Sequence, residues 1–194
     1  MIEIPFLTTE AFFTLLWLLL RAAVWLRQGH IDWRREAVLL LLYVNLAVIL
    51  RVTFFPAARL NGRVRPLLFD AARVFPLRVN LLPLVALRYY RNRGELLLNL
   101  IGNIALFIPS GMLLPVVYRR LNSFGKVLAA GAGLSLGIEL LQLPFYVRST
   151  DVDDLILNTL GVAIGFGIRA AVRRLKKRRQ RGNSPAVLTL HTNP

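Results

Sequence analysis

Polar residues are sparse along this chain, and their spacing divides it into long apolar runs. Five runs are long enough to cross a bilayer, which takes about 20 residues at 1.5 Å of helical rise each. They extend from Glu10 to Trp25, Ala37 to Phe55, Glu95 to Val117, Phe124 to Phe145 and Asp154 to Val172. The pattern predicts an all-α fold, a polytopic membrane bundle of about five transmembrane helices. The first run is the shortest and contains Arg21. Its flanks are not those of a cleaved signal peptide, because Glu3 and Glu10 precede it and no basic residue comes before Arg21. The runs place a first helix with its connection over 1–36 and four further spans over 37–172. A basic tail over 173–194, expected to be disordered, completes the chain.

Within the runs the polar residues fall into register. Glu95, Asn99 and Asn103 recur every four residues and share a helical face; so do Glu139 with Gln142, and Asp154 with Asn158 just after Asp151 and Asp153. Counted from the ends of the runs, Asn99 and Asn103 lie roughly 6 and 12 Å deep, Glu139 about 8 Å and Asn158 about 6 Å. Three helices thus bring polar groups to the same outer third of the membrane, in spans where a charge at the centre costs about 2.5–3.5 kcal/mol on insertion scales. The plainer reading, that these groups only hydrogen-bond helix to helix, stands evenly against a site for the amides. It is weaker for Glu139, since an amide would do the gluing without a charge to desolvate. Gly133 with Gly137, and Gly161 with Gly165, form small-xxx-small pairs that would let helices approach, and Pro109 and Pro115 interrupt the third run. Arg21 and Arg51 are expected to snorkel from span ends, and Trp17, Trp25 and Tyr43 to belong to interfacial belts.

Charge adds orientation. The chain has 194 residues with 25 Lys and Arg against 10 Asp and Glu, a net charge of +15. Residues 57–94 hold eight arginines and one acid, Asp70; the chain after Asp154 holds eight basic residues and no acid; the remainder carries nine of each sign. Such confinement to connections and tail argues against nucleic acid as a partner and for lipid head groups. The positive-inside rule puts the first and third connections and the tail in the cytoplasm, hence the N-terminus outside and the C-terminus inside. The arginine-rich second connection violates the rule, which predicts partners for its arginines, either anionic lipid or the nearby acids. Absence of Cys excludes disulfides, thiolate metal sites and Cys nucleophiles. Asp-x-Asp-Asp supplies hard oxygen ligands but is a common string, so neither a metal nor a cofactor is assigned.

In chain order the polar strings are Arg78-Val79-Asn80-Leu81-Leu82-Pro83, Asn99 to Asn103 with Leu106-Phe107-Ile108-Pro109-Ser110-Gly111, Glu139-Leu140-Leu141-Gln142-Leu143, Arg148 to Asp154, and Asn158-Thr159-Leu160-Gly161. Taken together they resemble the VanZ-like family over about Leu42 to Ile168. The resemblance implies an integral membrane protein of the bacterial cytoplasmic membrane. It also implies an association with low-level resistance to teicoplanin-type glycopeptides, a role without established chemistry. Leu84 departs from the family's frequent aromatic, and the first run lies outside the resemblance.

The residues themselves leave three functions open. A binding or shielding module would hold an anionic envelope lipid, a lipid-linked cell-wall precursor or a glycopeptide antibiotic at the outer leaflet. Arg78 would meet its phosphate or carboxylate, Asn80, Asn99 and Asn103 would hydrogen-bond it, and Glu139, Asp151, Asp153 and Asp154 would orient the arginines, with Gln142, Arg148 and Asn158 completing the polar cluster. An intramembrane enzyme would use Glu139 or Asp154 as general acid or base, but no Ser, His or Cys nucleophile set accompanies them, so the reading leans away from an enzyme. An ion-coupled lipid transporter would titrate Glu139, and so few spans would then call for a homo-oligomer.

Overall fold

The computed structural model describes residues 2–55, 59–60, 63–75, 79–80, 92–145 and 150–182. Five helices dominate: α1 (Phe6–Gln28), α2 (Trp33–Phe54), α3 (Arg93–Val117), α4 (Phe124–Gln142) and α5 (Val152–Gly182). Each is long and apolar enough to cross a membrane. The first run, short by its sequence bounds, is a helix of 23 residues, because Phe6 to Thr9 wind ahead of Glu10 and Leu26 to Gln28 follow Trp25. At the other extreme α5 continues to Gly182, ten residues past the predicted end of the fifth run, so residues 173–182 are helical where the sequence suggests disorder. Arg, Lys and Gln are good helix formers, and an existing helix adds residues without a new nucleus.

Helix starts follow local chemistry. Asp32 caps α2 by accepting from the Arg34 and Arg35 amides at 3.1 and 3.2 Å, and Asn92 caps α3 by accepting from Gly94 at 2.9 Å. Gly29 ends α1 in the left-handed conformation, φ 67°, which only a residue without Cβ adopts at little cost.

Packing centres on α3 against α5, with α4 against α5 and α2 against α3 flanking it. Gly161 and Gly165 of α5 lie so close to α3 that a Cβ at either would sit 2.2 Å from the Ile104 carbonyl oxygen or 2.0 Å from that of Ile108. Gly111 of α3 lies in the same way on the Val162 carbonyl, where a Cβ would be 2.1 Å away. The fully buried Val162 side chain presses in turn on Gly131 of α4. The backbones of α3 and α5 therefore touch. The other predicted pair behaves differently: a Cβ at Gly133 or Gly137 would meet nothing within 4 Å among the described residues.

Helix α1 is peripheral and contributes no buried residue. It is held to α2 by an Arg21–Glu36 ion pair, a Thr14–Tyr43 hydrogen bond of 2.6 Å and the stacked rings of Trp17 and Tyr43, 4.8 Å apart. Arg21 is thus paired within the bundle rather than snorkelling alone. Arg51 donates to the Phe55 carbonyl at 2.7 Å and lies over the Phe6 ring. Trp17 and Tyr43 join the two helices through this stack.

One end of the bundle carries short strands: β1 (Ile2–Ile4), β2 (Arg59–Leu60), β3 (Arg63–Val64), β4 (Leu67–Phe69), β5 (Val79–Asn80) and β6 (Thr150–Asp151). β1 pairs antiparallel with β4, β2 with β3, and β5 runs parallel to β6 with Asn80 opposite Asp151. Buried Phe54, Phe55 and Leu67, with Ile4, Phe6 and Phe145, form an aromatic plug beneath this strand end.

The glycine contacts make a clear prediction. Gly165→Ala, or Gly111→Ala, should lower the stability of the detergent-solubilised protein by about 3 kcal/mol or more, because backbone rather than a flexible side chain must move. Gly133→Ala should leave thermal unfolding unchanged or slightly raised. Equal melting of all three would show that the helices do not meet at these glycines.

Candidate functional site

The strand end of the bundle gathers most of the polar residues, and local structure explains how. The periodicity of α3 turns Glu95, Asn99 and Asn103 to one side, and the first two turns of α5 deliver Asp153, Asp154 and Asn158 opposite them. The last turn of α4 brings Glu139 and Gln142 beneath. Asn103 Nδ2 donates to Asp154 at 2.6 Å and to Asn99 at 3.4 Å. Asn158 Nδ2 donates to Ser135 Oγ at 2.9 Å, and Gln142 Nε2 to the Thr53 carbonyl at 2.7 Å. Glu139 Oε2 accepts from the Asp151 amide at 3.1 Å, tying the end of α4 to the strand that leads into α5. Asp151 accepts from the Asp153 amide at 3.0 Å, as a helix cap does, and from Asn80 Nδ2 at 3.4 Å.

These side chains line one groove of about 1250 Å³ between α2 and α3, with the end of α4 and the start of α5 as its floor. Glu139, Gln142, Asp153 and Asn158 are buried in that floor, while Glu95 and Asn99 are exposed at the rim. Away from the strand end the lining turns apolar. Leu41, Val44 and Val48 form one wall, and Leu98, Ala105 and Met112 stand on the other. The wall residues are exposed along the side of the bundle, Leu98 to 76%, so the groove opens laterally where lipid would lie. Pro109 has no N–H to give the Ala105 carbonyl on this wall, which leaves that carbonyl without its helical donor.

Of the residues singled out in the sequence, Asn80, Asp151, Glu139, Gln142, Asn99, Asn103, Asp153, Asp154 and Asn158 come together here. Arg78 and Arg148 lie outside the described residues. Among the described residues no three Asp, Glu or His side chains converge as a metal site would need. Sequence reading missed Asn45, Ser110, Ser135 and Thr53. Asn45 is buried on α2, donating to the Leu106 carbonyl at 3.0 Å and accepting from Ser110 Oγ at 2.6 Å. An amide in the middle of an apolar run is a signal for the first; Thr53 enters through its backbone carbonyl, which leaves no trace in sequence.

Comparison with known proteins adds three findings. The VanZ/LLP1 family model matches residues 38–173. Protein VanZ of Enterococcus faecium is 34% identical over 88 residues, 45% of this chain and 50% of that protein, so the alignment spans about half the length of each. No solved structure matches.

The Glu139–Asp151 contact predicts a local effect. Leaving a buried N–H without its acceptor costs about 1–3 kcal/mol. Glu139→Ala should therefore speed amide exchange at Asp151 roughly tenfold or more while the core of α3 exchanges as before. Unchanged exchange at Asp151 would count against the contact.

Proposed function

The chain belongs to the VanZ/LLP1 family of multi-pass membrane proteins, and from that premise we propose that it binds or shields an amphiphile of the bacterial envelope in the groove between α2 and α3. The observation that carries this reading is the two-part lining. An apolar lane open to the side of the bundle runs into an acid–amide end, the order in which a lipid leaflet presents chains and head group. From Leu98 to Met112 the α3 wall extends about 21 Å, more than the roughly 15 Å of one hydrocarbon leaflet. A lipid, a lipid-linked cell-wall precursor or an acylated glycopeptide shares this chemistry. Arg78 remains the proposed partner of its phosphate or carboxylate. The resemblance to a teicoplanin-resistance family supports an acylated glycopeptide, or the lipid it competes with, as the cargo.

This reading places the strand end at the outer leaflet, with the N-terminus outside and the basic end of α5 in the cytoplasm. The native chain has no Cys, which makes the orientation testable. A membrane-impermeant maleimide should label Glu3→Cys but not Lys177→Cys in intact cells. The opposite pattern would put the groove at the inner leaflet.

Occlusion tests the groove itself. Gly102 lines it and a Cβ there meets nothing within 4 Å, so Gly102→Leu should fold and fill the lane. Gly133→Leu, on the open face of α4, is the matched control. At equal membrane levels in a sensitive Gram-positive host, Gly102→Leu should lose co-purifying lipid and any selective teicoplanin protection over vancomycin. The control should keep both. Lipid and protection retained with the lane filled would overturn the proposal.

A further inference from the structure

The end of the bundle away from the strands carries cations in place of acids, and its chemistry is independent of the groove. We infer that Arg169 and Arg173 of α5 together hold the phosphate of an anionic phospholipid in the leaflet at this end. α3 and α5 run side by side in one direction, Gly161 against Ile104 and Gly165 against Ile108. Arg169 therefore arrives level with the last turn of α3, where its guanidinium donates to the Pro115 carbonyl. That contact is 3.5 Å long, at the limit of hydrogen bonding, and is the side chain's one hydrogen bond among the described residues. An arginine has five N–H donors, so most of this fork is unused. Arg173 follows one turn later on the same face and is exposed. Like charges four residues apart repel along a helix, and neither arginine has a carboxylate within 4 Å among the described residues.

The chain has no acid to spare for this pair. All ten Asp and Glu are among the described residues. Asp32 accepts from the Arg34 and Arg35 amides, and Glu36 pairs with Arg21. The other eight lie on the strands, beside them, or within two turns of the helix ends that meet them. Arg119 and Arg120, exposed in the turn after α3, only add to the positive charge. An anion from outside the chain supplies what the protein lacks, and the flanks of the site select its kind. Exposed Val116 of α3 and exposed Ile168 and Val172 of α5 stand next to Pro115 and the two arginines. Apolar side chains beside cations match acyl chains joined to a phosphate; a nucleic acid or an acidic protein brings no such chain. The planar guanidinium takes two phosphate oxygens at once. A zwitterionic lipid carries its own ammonium toward the second arginine, whereas a net-negative phosphodiester meets both without that repulsion.

The full-length protein, purified and delipidated in detergent, would be offered equimolar dioleoyl-phosphatidylglycerol and dioleoyl-phosphatidylcholine and read by native mass spectrometry. A basic residue at a lipid surface is worth about fivefold, so the two arginines should favour phosphatidylglycerol roughly twentyfold. Replacing both, Arg169→Gln with Arg173→Gln, should bring the two lipids to within about twofold of each other. Arg173→Gln alone touches no protein contact and should lose about fivefold, which keeps the test decisive if the double variant folds poorly. Arg178→Gln with Arg179→Gln removes the same charge roughly 8 Å farther along α5 and should stay within about threefold of the native protein. Inorganic phosphate in tenfold molar excess over lipid should not displace the phosphatidylglycerol, since it lacks the acyl chains. Equal retention of the two lipids by the native protein would overturn the inference. So would a preference that survives the double variant, falls equally with Arg178 and Arg179, or yields to free phosphate. Gly102→Leu, which fills the groove, should leave the preference intact; its loss there would assign the lipid to the groove and overturn this site alone.

Discussion

Backbone meets backbone where α3 crosses α5. Lipid tails are as apolar as leucine, so a membrane helix gains little by hiding apolar surface against a neighbour; close van der Waals packing and interhelical hydrogen bonds must do the holding. Gly111, Gly161 and Gly165 provide the first by removing every Cβ from the crossing, and buried Val162 locks α4 on through Gly131. The closeness has a consequence nearer the strand end. With α3 and α5 in contact, Asn103 falls within 2.6 Å of Asp154, and Asn158 is buried beside α4. A wider crossing would leave the same polar groups facing lipid. The glycine seam thus makes the acid–amide end of the groove possible.

The groove is a product of the same geometry. α2 leans on α3 through Asn45, which bridges the Leu106 carbonyl and Ser110. Into the resulting opening face the apolar stripes of both helices, and beneath it lies the floor that α4 and α5 share. The strand end closes over the bundle by pairing β1 with β4 and β5 with β6, and the aromatic plug beneath keeps those short strands attached. Strands of two or three residues are too short to persist alone; their packing on the helix ends stabilises them.

Helix α1 follows other rules. It touches the bundle along α2 through an ion pair, a hydroxyl pair and a ring stack, with no glycine approach. Its remaining surface is exposed apolar side chain, suited to lipid contact. The family match begins at residue 38, beyond this helix.

Hydropathy alone determined five helices and the all-α class, because a bilayer demands about 20 apolar residues per crossing whatever the packing. Periodicity and helical rise also predicted that Asn99, Asn103, Glu139 and Asn158 reach one depth, since both are properties of a single helix. Sequence could not choose between glycine pairs: Gly133 and Gly137 look like Gly161 and Gly165, yet one pair faces open space and the other a neighbouring backbone. That choice depends on how each helix is rotated about its axis, which is set by its partners. The same holds for Arg21, whose partner Glu36 is supplied by another helix, and for Gln142, whose acceptor is a backbone carbonyl of α2. The direction of the Asn45, Asn103, Gln142 and Asn158 amides was decided only when four helices met. A side chain's hydrogen-bond partner is a fact about its surroundings, which no local pattern contains.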